Sequence, residues 1–429
     1  MLQYIVIALL GALAAVLANT GVAVFNDGFR PIVSEYREGQ IDRKVLAVTS
    51  FALSFGLVVG FGIPVSLAAT VILIHSVALG TDIIGSFCPE GKVGMAISAV
   101  IGAVYGIGIV YGLQFVVDLF AKLPINFLDS LSQVGTPITI AFAIFPAVAV
   151  GLEYGFKKAT LTAAVTLLVY QLTTRFGIIP MGASKITLNA SGMALLAGMI
   201  FLIVFAVRDK SDANNTNEQL VTVFSEKVKR IQKNVPILAV MGGLVAMATS
   251  LSLVIGDPIS QNLVSEGDLM SAAMAALARA IGFIPLIATT AITTGVYSPV
   301  GMTFVFVIGL LVHNPVIAFV LGAVVITLEV LLLSSIAKFL DKFPGVRKCG
   351  DNIRTAMGRV LNISLLLGGM MAAQAIAPGI GIFVVVALYV LNKFSKKPIV
   401  EMAIGPVGAI SVGILVNILY VLGLYTIAK

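Results

Sequence analysis

The chain has 429 residues, of which 59% are hydrophobic and only 11% charged, with a net charge of +7 and a mean hydropathy of +1.07. A water-soluble domain carries about 25% charged residues, so this composition excludes one. The basic excess lies in short stretches between apolar runs, which is a membrane pattern and not a nucleic-acid one, and Cys88 and Cys349 have no spacing for a disulfide framework or a metal site.

Apolar runs occupy residues 3–24, 45–60, 63–79, 94–119, 135–152, 159–174, 190–207, 236–255, 272–296, 300–337, 355–376, 379–392 and 402–427. Many approach the roughly 20 residues that cross a bilayer. They predict an all-α polytopic membrane protein with about 11–14 transmembrane segments. The first run has no basic leader and reads as a retained helix. The run 300–337 is too long for one span; Gly309 and the triplet His313-Asn314-Pro315 interrupt it. That predicts a re-entrant hairpin followed by a span, or two short spans.

Charge orients the chain. Residues 25–44, 208–233, 338–359 and 393–397 are basic and belong on the cytoplasmic side; residues 256–270 carry only acids and belong outside, with the N-terminus. The polar linker 209–219, followed by an amphipathic interfacial helix over 221–234, divides an N-terminal membrane half (1–207) from a C-terminal one (236–429), with 208–235 as the cytoplasmic connection. The halves are weakly similar. LFAKLP (119–124) matches FLDKFP (339–344) and GAV (102–104) matches GAV (322–324), both 220 residues apart; Gly192 and Gly413 lie 221 apart. VAVF (22–25) resembles VTVF (221–224), but at an offset of 199. Duplicated halves with broken helices are the plan of many transporters, with substrate held at the repeat interface.

The stretch Arg279–Pro299 is apolar yet dense in hydroxyls and helix breakers: Pro285, Thr289, Thr290, Thr293, Thr294, Gly295, Tyr297 and Ser298. Irregular polar backbone at membrane depth needs protein or a water-filled cavity around it. These residues are therefore candidates to bind a polar solute, with Thr81, Asp82 and Asn314; the alternative is that the hydroxyls bond the preceding helical turn. The offset places this stretch opposite residues 59–79, beside a break at 80–94. Asp82, Glu329 and His313 are candidates for coupling a proton or ion, because an acid in an apolar run such as VVITLEVLLL must be protonated, paired or wet. Asp118 lies near Lys122 and reads as interfacial. Asp27 with Arg30, and Asp351 with Arg354, read as caps or gates at the cytoplasmic surface.

Three segments, GFIPLIATTAITTGVYSPVGMTFVFVIGLL (282–311), NPVIAFVLGAVVITLEVLLLSSIAKFL (314–340) and FPGVRKCGDNIRTAM (343–357), resemble the YhfT family of bacterial inner-membrane proteins, as do FNDGFRP (25–31), TDIIG (81–85) and AFAIFP (141–146). The resemblance implies a multi-pass protein of the bacterial inner (cytoplasmic) membrane, and a transporter.

No nucleotide-binding loop, nucleophile elbow or zinc motif occurs. The reading is a non-enzymatic transporter of a small polar solute by alternating access, elevator-type, coupled to H⁺ or Na⁺. Its partners are the lipid bilayer, the solute and a second copy in a homodimer; no cofactor, metal or nucleic acid is expected. One alternative is the membrane subunit of a phosphotransferase-type sugar system. Another is a scaffold or receptor, or an intramembrane enzyme.

Overall fold

The structure, a computed structural model, describes residues 1–426 apart from 70, 182–183, 189, 210–217, 343, 397 and 399–400. Some helical side chains also lie outside the described set, including those of Thr289, Cys349, Asp351 and Arg354.

In a bilayer each backbone N–H and C=O must be bonded within the protein, and helices do this locally. The first half comprises α1 (Leu2–Asn19), an unwound stretch over 20–29, α2 (Arg30–Arg37), and α3 (Arg43–Leu57), which passes through a π-turn (Val58–Gly62) into α4 (Ile63–Ala69). Strand β1 (Ile72–Leu73), α5 (Ile74–Phe87), α6 (Gly91–Ala121), α7 (Leu128–Leu131), α8 (Gly135–Tyr154), α9 (Phe156–Phe176), the hairpin β2–β3 (Ile178–Met181, Ser184–Thr187) and α10 (Ala190–Arg208) complete it. Helix α11 (Glu218–Gln232) leads into the second half: α12 (Val235–Ser250), β4 (Val254–Ile255), α13 (Pro258–Ser265), α14 (Leu269–Thr294), an unwound stretch over 295–303, α15 (Phe304–Leu311), α16 (Pro315–Lys342), α17 (Pro344–Ile376), α18 (Gly381–Phe394) and α19 (Glu401–Val421).

Among the described residues six helices are long and apolar enough to cross a membrane, or up to eight if each bent pair is one span; α14 is such a pair, bent by 45° at Pro285. The lower figure has a structural reason. Several apolar runs are divided between short helices: the π-turn splits α3 from α4, and His313-Asn314-Pro315 separates α15 from α16. Gly309 does not interrupt α15 as expected; it is a packing position instead.

Close glycine crossings occur in both halves. Gly11 of α1 meets Gly102 of α6 backbone to backbone: a Cβ on either would lie 2.3–2.4 Å from the other's carbonyl oxygen. Gly242 of α12 and Gly322 of α16 form the equivalent crossing, with corresponding distances of 3.0 and 2.6 Å. Gly85 of α5 lies against Ala15 and Ala18 of α1, and Gly309 of α15 against Ala246 and Thr249 of α12. The glycines of the GAV match, Gly102 and Gly322, each sit at one of these crossings. The VAVF match joins unlike structure, because 22–25 is unwound whereas 221–224 is helical.

The halves interleave. Helices α1, α3–α6, α12 and α14–α16 pack into one bundle, whose two most extensive pairs are α1–α6 and α12–α16. Helices α8–α10 and α17–α19 form a second bundle, which meets the first along α3, the π-turn and α14.

Candidate functional site

The unwound stretches determine the centre. The first half's stretch bonds the second half's: Val24 N–H donates to the Tyr297 carbonyl (3.1 Å) and Tyr297 N–H to the Val22 carbonyl (3.0 Å), a parallel bridge between Ala23 and Tyr297. The counterpart crossing pairs β1 with β4, also in parallel, Ile72 opposite Val254 and Leu73 opposite Ile255. Backbone that has left its helix must find partners elsewhere; each half supplies them to the other.

Two buried acids accept from further N–H groups of these stretches. Asp82 of α5 is 1% exposed; its carboxylate accepts from Phe25 N–H (3.0 Å) and Asn26 N–H (2.8 Å). Glu329, midway along α16, is 7% exposed; its Oε2 accepts from Met302 N–H (2.8 Å) and the Tyr297 hydroxyl (2.9 Å). Charged acceptors make the stronger hydrogen bonds, so each acid clamps an unwound segment. The expected break at 80–94 is absent up to Phe87, where α5 ends. Asp82 acts from within a helix on the partner of the 295–303 stretch.

Arginines accompany the crossings. Arg30 is wholly buried, not at the surface as expected; it bonds Asp27 (2.7 Å) and donates to the Val24 carbonyl (3.3 Å). Its own N–H groups thus fold the 24–30 loop on itself. In the other half Arg279 pairs with Asp257 (3.7 Å), donates to the Gly256 carbonyl and lies between the rings of Phe283 and Phe306. Arg279 was not selected from the sequence as a site residue, although an arginine between alanines in an apolar run is itself the signal.

The loop Phe25–Gly28 borders a cavity of about 190 Å³, lined also by Phe61, His75, Leu79, Leu286, Met357 and Leu361. Asn26 is fixed by Ser54 (3.1 Å). The His75 ring stands edge-on to Phe25 (4.9 Å) and Phe61 (5.0 Å), and its Nδ1 has no hydrogen-bond partner among the described residues. Phe61 belongs to the π-turn, an irregularity frequent at functional sites. The lining comes from both bundles: Met357 and Leu361 are on α17, the others on the first bundle or its loop. His75 and Asn26 were not selected from the sequence, where a histidine on an apolar helix gives no sign of facing a cavity.

Other candidates fall elsewhere. Thr290, Thr293 and Thr294 turn their hydroxyls back to carbonyls of the preceding turn, of Leu286 and Thr290, and Thr81 bonds Ala78 in the same way. Ser298 caps its own loop through Val300 N–H (3.3 Å). The side chain of Thr289 lies outside the described residues. His313 and Asn314 are exposed. Asn314 caps α16, accepting from Val316 and Ile317 N–H groups, about 22 Å along the helix from Glu329 at ~1.5 Å per residue. Asp118 is exposed and bonds Gln114. The cap expected of Asp351 and Arg354 lies outside the described side chains; between them Asn352 bonds Glu153 of α8 (3.0 Å).

At the basic end, side chains cap helix C-termini, where carbonyls point out unpaired. Arg37 donates to the Thr20 and Gly21 carbonyls, and Arg43 to those of Gly85 and Cys88. From α11, Lys227 reaches the Thr293 carbonyl and Arg230 those of Thr294 and Gly295. Lys227 also pairs with Glu38 (3.1 Å). Hydrogen bonds from Lys227 and then Ser34 hold the Glu38 carboxyl below the usual range.

Two halves, interleaved through broken helices and clamped by buried acids, define an all-α polytopic membrane protein. Sequence comparison then assigns the lineage: the chain belongs to the YhfT family, described as a protein of unknown function, which it matches over residues 3–425. It is 36% identical to the uncharacterized protein YhfT of Escherichia coli (strain K12), over 99% of this chain and 98% of that one. No solved structure matches it.

Proposed function

We propose that the protein is a carrier for a small polar solute in the bacterial inner membrane, working by alternating access, elevator-type, as a homodimer. The observation that supports this reading is the cavity on the seam between the bundles, bordered by Asn26, Asp27 and His75. Solute sites of duplicated transporters lie at such interfaces, where helices are interrupted. Displacement of one bundle against the other would open this cavity alternately to either side. At about 190 Å³ it has the volume of about six waters at ~30 Å³ each, which suits a compact hydrogen-bonding solute. Met357→Cys and Leu361→Cys place thiols on its α17 wall. Both are expected to react with a small polar thiol reagent and to be shielded by a solute found in a thermal-shift screen and then taken up by liposomes. Thiols that stay inert in every condition, with no solute transported, would refute the reading.

A further inference from the structure

The clamp on the second unwound stretch is only half used. Glu329 presents Oε2 to Met302 and Tyr297, while its buried Oε1 has no hydrogen-bond partner among the described residues. No lysine, arginine or histidine pairs with Glu329 among the described residues. One residue beyond Met302, the Thr303 hydroxyl is likewise buried and has no partner among the described residues. Buried polar oxygens are nearly always satisfied, and each exception requires an explanation.

The backbone here is built around the acid. Gly301 has φ +56°, and a Cβ there would lie 2.2 Å from Glu329 Oε2, so the main chain passes directly against the carboxylate. Thr303 has φ +76°, a left-handed conformation that is an outlier for a β-branched residue. Such strain is retained where the surroundings enforce it, often around a ligand. The carbonyls of Gly301 and Met302 accept no hydrogen bond among the described residues.

All the unused groups are oxygens, with one carboxylate among them. Hard oxygen donors select hard cations, and a protein site for a divalent ion draws on more acids than one. Among the described residues no cluster of three His, Cys, Asp or Glu occurs. We propose that Glu329 Oε1 and Thr303 Oγ1, with the carbonyls of Gly301 and Met302, bind a sodium ion. The ion neutralises the buried carboxylate and fixes the start of α15. This deepens the carrier reading by naming its coupling ion, yet it concerns binding alone.

The test uses the purified full-length chain in detergent without solute, with choline replacing sodium at constant ionic strength. The melting temperature is expected to rise with the logarithm of sodium concentration, by roughly 2 °C per tenfold once the site fills. Thr303→Ser should keep that response; Thr303→Val and Glu329→Gln should lose it. Radioactive sodium binding to the unmodified chain, competed with lithium and potassium, supplies a measurement that no misfolded variant can obscure. Saturable sodium binding that potassium displaces poorly supports the site. Absence of binding, equal preference for potassium, a response that survives Glu329→Gln, or a stability that follows pH and ignores sodium overturns it. A chain that binds sodium but carries no solute would sink the carrier reading and leave this one standing.

Discussion

Removing the Glu329 side chain should reveal how much the clamp contributes. Glu329→Ala leaves Met302 N–H and the Tyr297 hydroxyl buried with no acceptor. An orphaned buried donor costs about 1–3 kcal/mol, so the pair costs about 2–6 kcal/mol before any cavity term. Glu329→Gln retains an oxygen for both donors and loses only the charge assistance, about 1 kcal/mol per bond. Alanine should therefore be the worse substitution, by up to about 4 kcal/mol from the orphaned donors with the cavity term added to that. Tyr297→Phe sharpens the comparison. With Glu329 present it deletes a good bond and destabilises. In the Glu329→Ala background it removes an orphan and should be neutral or stabilising. The assay is reversible unfolding in mixed micelles, in choline so that sodium does not contribute. Equal losses for alanine and glutamine, or fully additive losses for the double variant, would show that the carboxylate does not clamp the segment.

Asp82→Ala should accelerate hydrogen exchange at Phe25 and Asn26 and leave 295–303 less affected; unchanged exchange at both amides would refute its role. Gly102→Leu and Gly322→Leu should impair folding to similar extents, since each drives a side chain into the facing helix, whereas Gly108→Leu, with open space around its Cβ position, should be tolerated in expression and melting assays. The Glu38–Lys227 contact should weaken in acid. With the folded carboxyl held lower than its unfolded value of about 4.3, its contribution is complete above that pH and lost as pH falls through the folded value. Labels on α2 and α11 should therefore separate as pH falls through the lowered folded value of Glu38 in the unmodified chain, and at every pH in Glu38→Gln; distances that ignore both changes would contradict this.

Composition and the periodicity of apolar runs were enough to read an all-helical membrane protein, because the bilayer leaves the backbone little choice. The unusual character of 279–299 and of Glu329 was legible for the same reason: hydroxyls, prolines and an acid have a cost in hydrocarbon. What those groups contact was not legible. The threonines of α14 look like a binding stripe in sequence, yet their hydroxyls bond their own helix, a choice made by rotamer and not by composition. The partner of Tyr297 lies at Ala23, in the other half, and no local pattern announces a long-range backbone bridge. His75 was passed over because its value comes from the cavity beside it. The close helix crossings were partly visible through GAV, where glycine is required on both helices of each crossing, and invisible where packing tolerates many side chains.

The bridge at Ala23 and Tyr297 also has a consequence for biosynthesis. Val24 emerges from the ribosome about 270 residues before its acceptor Tyr297. At roughly 5–20 residues per second the interval is about 14–55 s. For that time the 20–29 loop, with buried Arg30 and the Asp82 clamp, has no second half to complete it. The order of synthesis thus exposes the most polar part of the future core to the insertion machinery, and a chaperone-like guard over the first half would act in that interval.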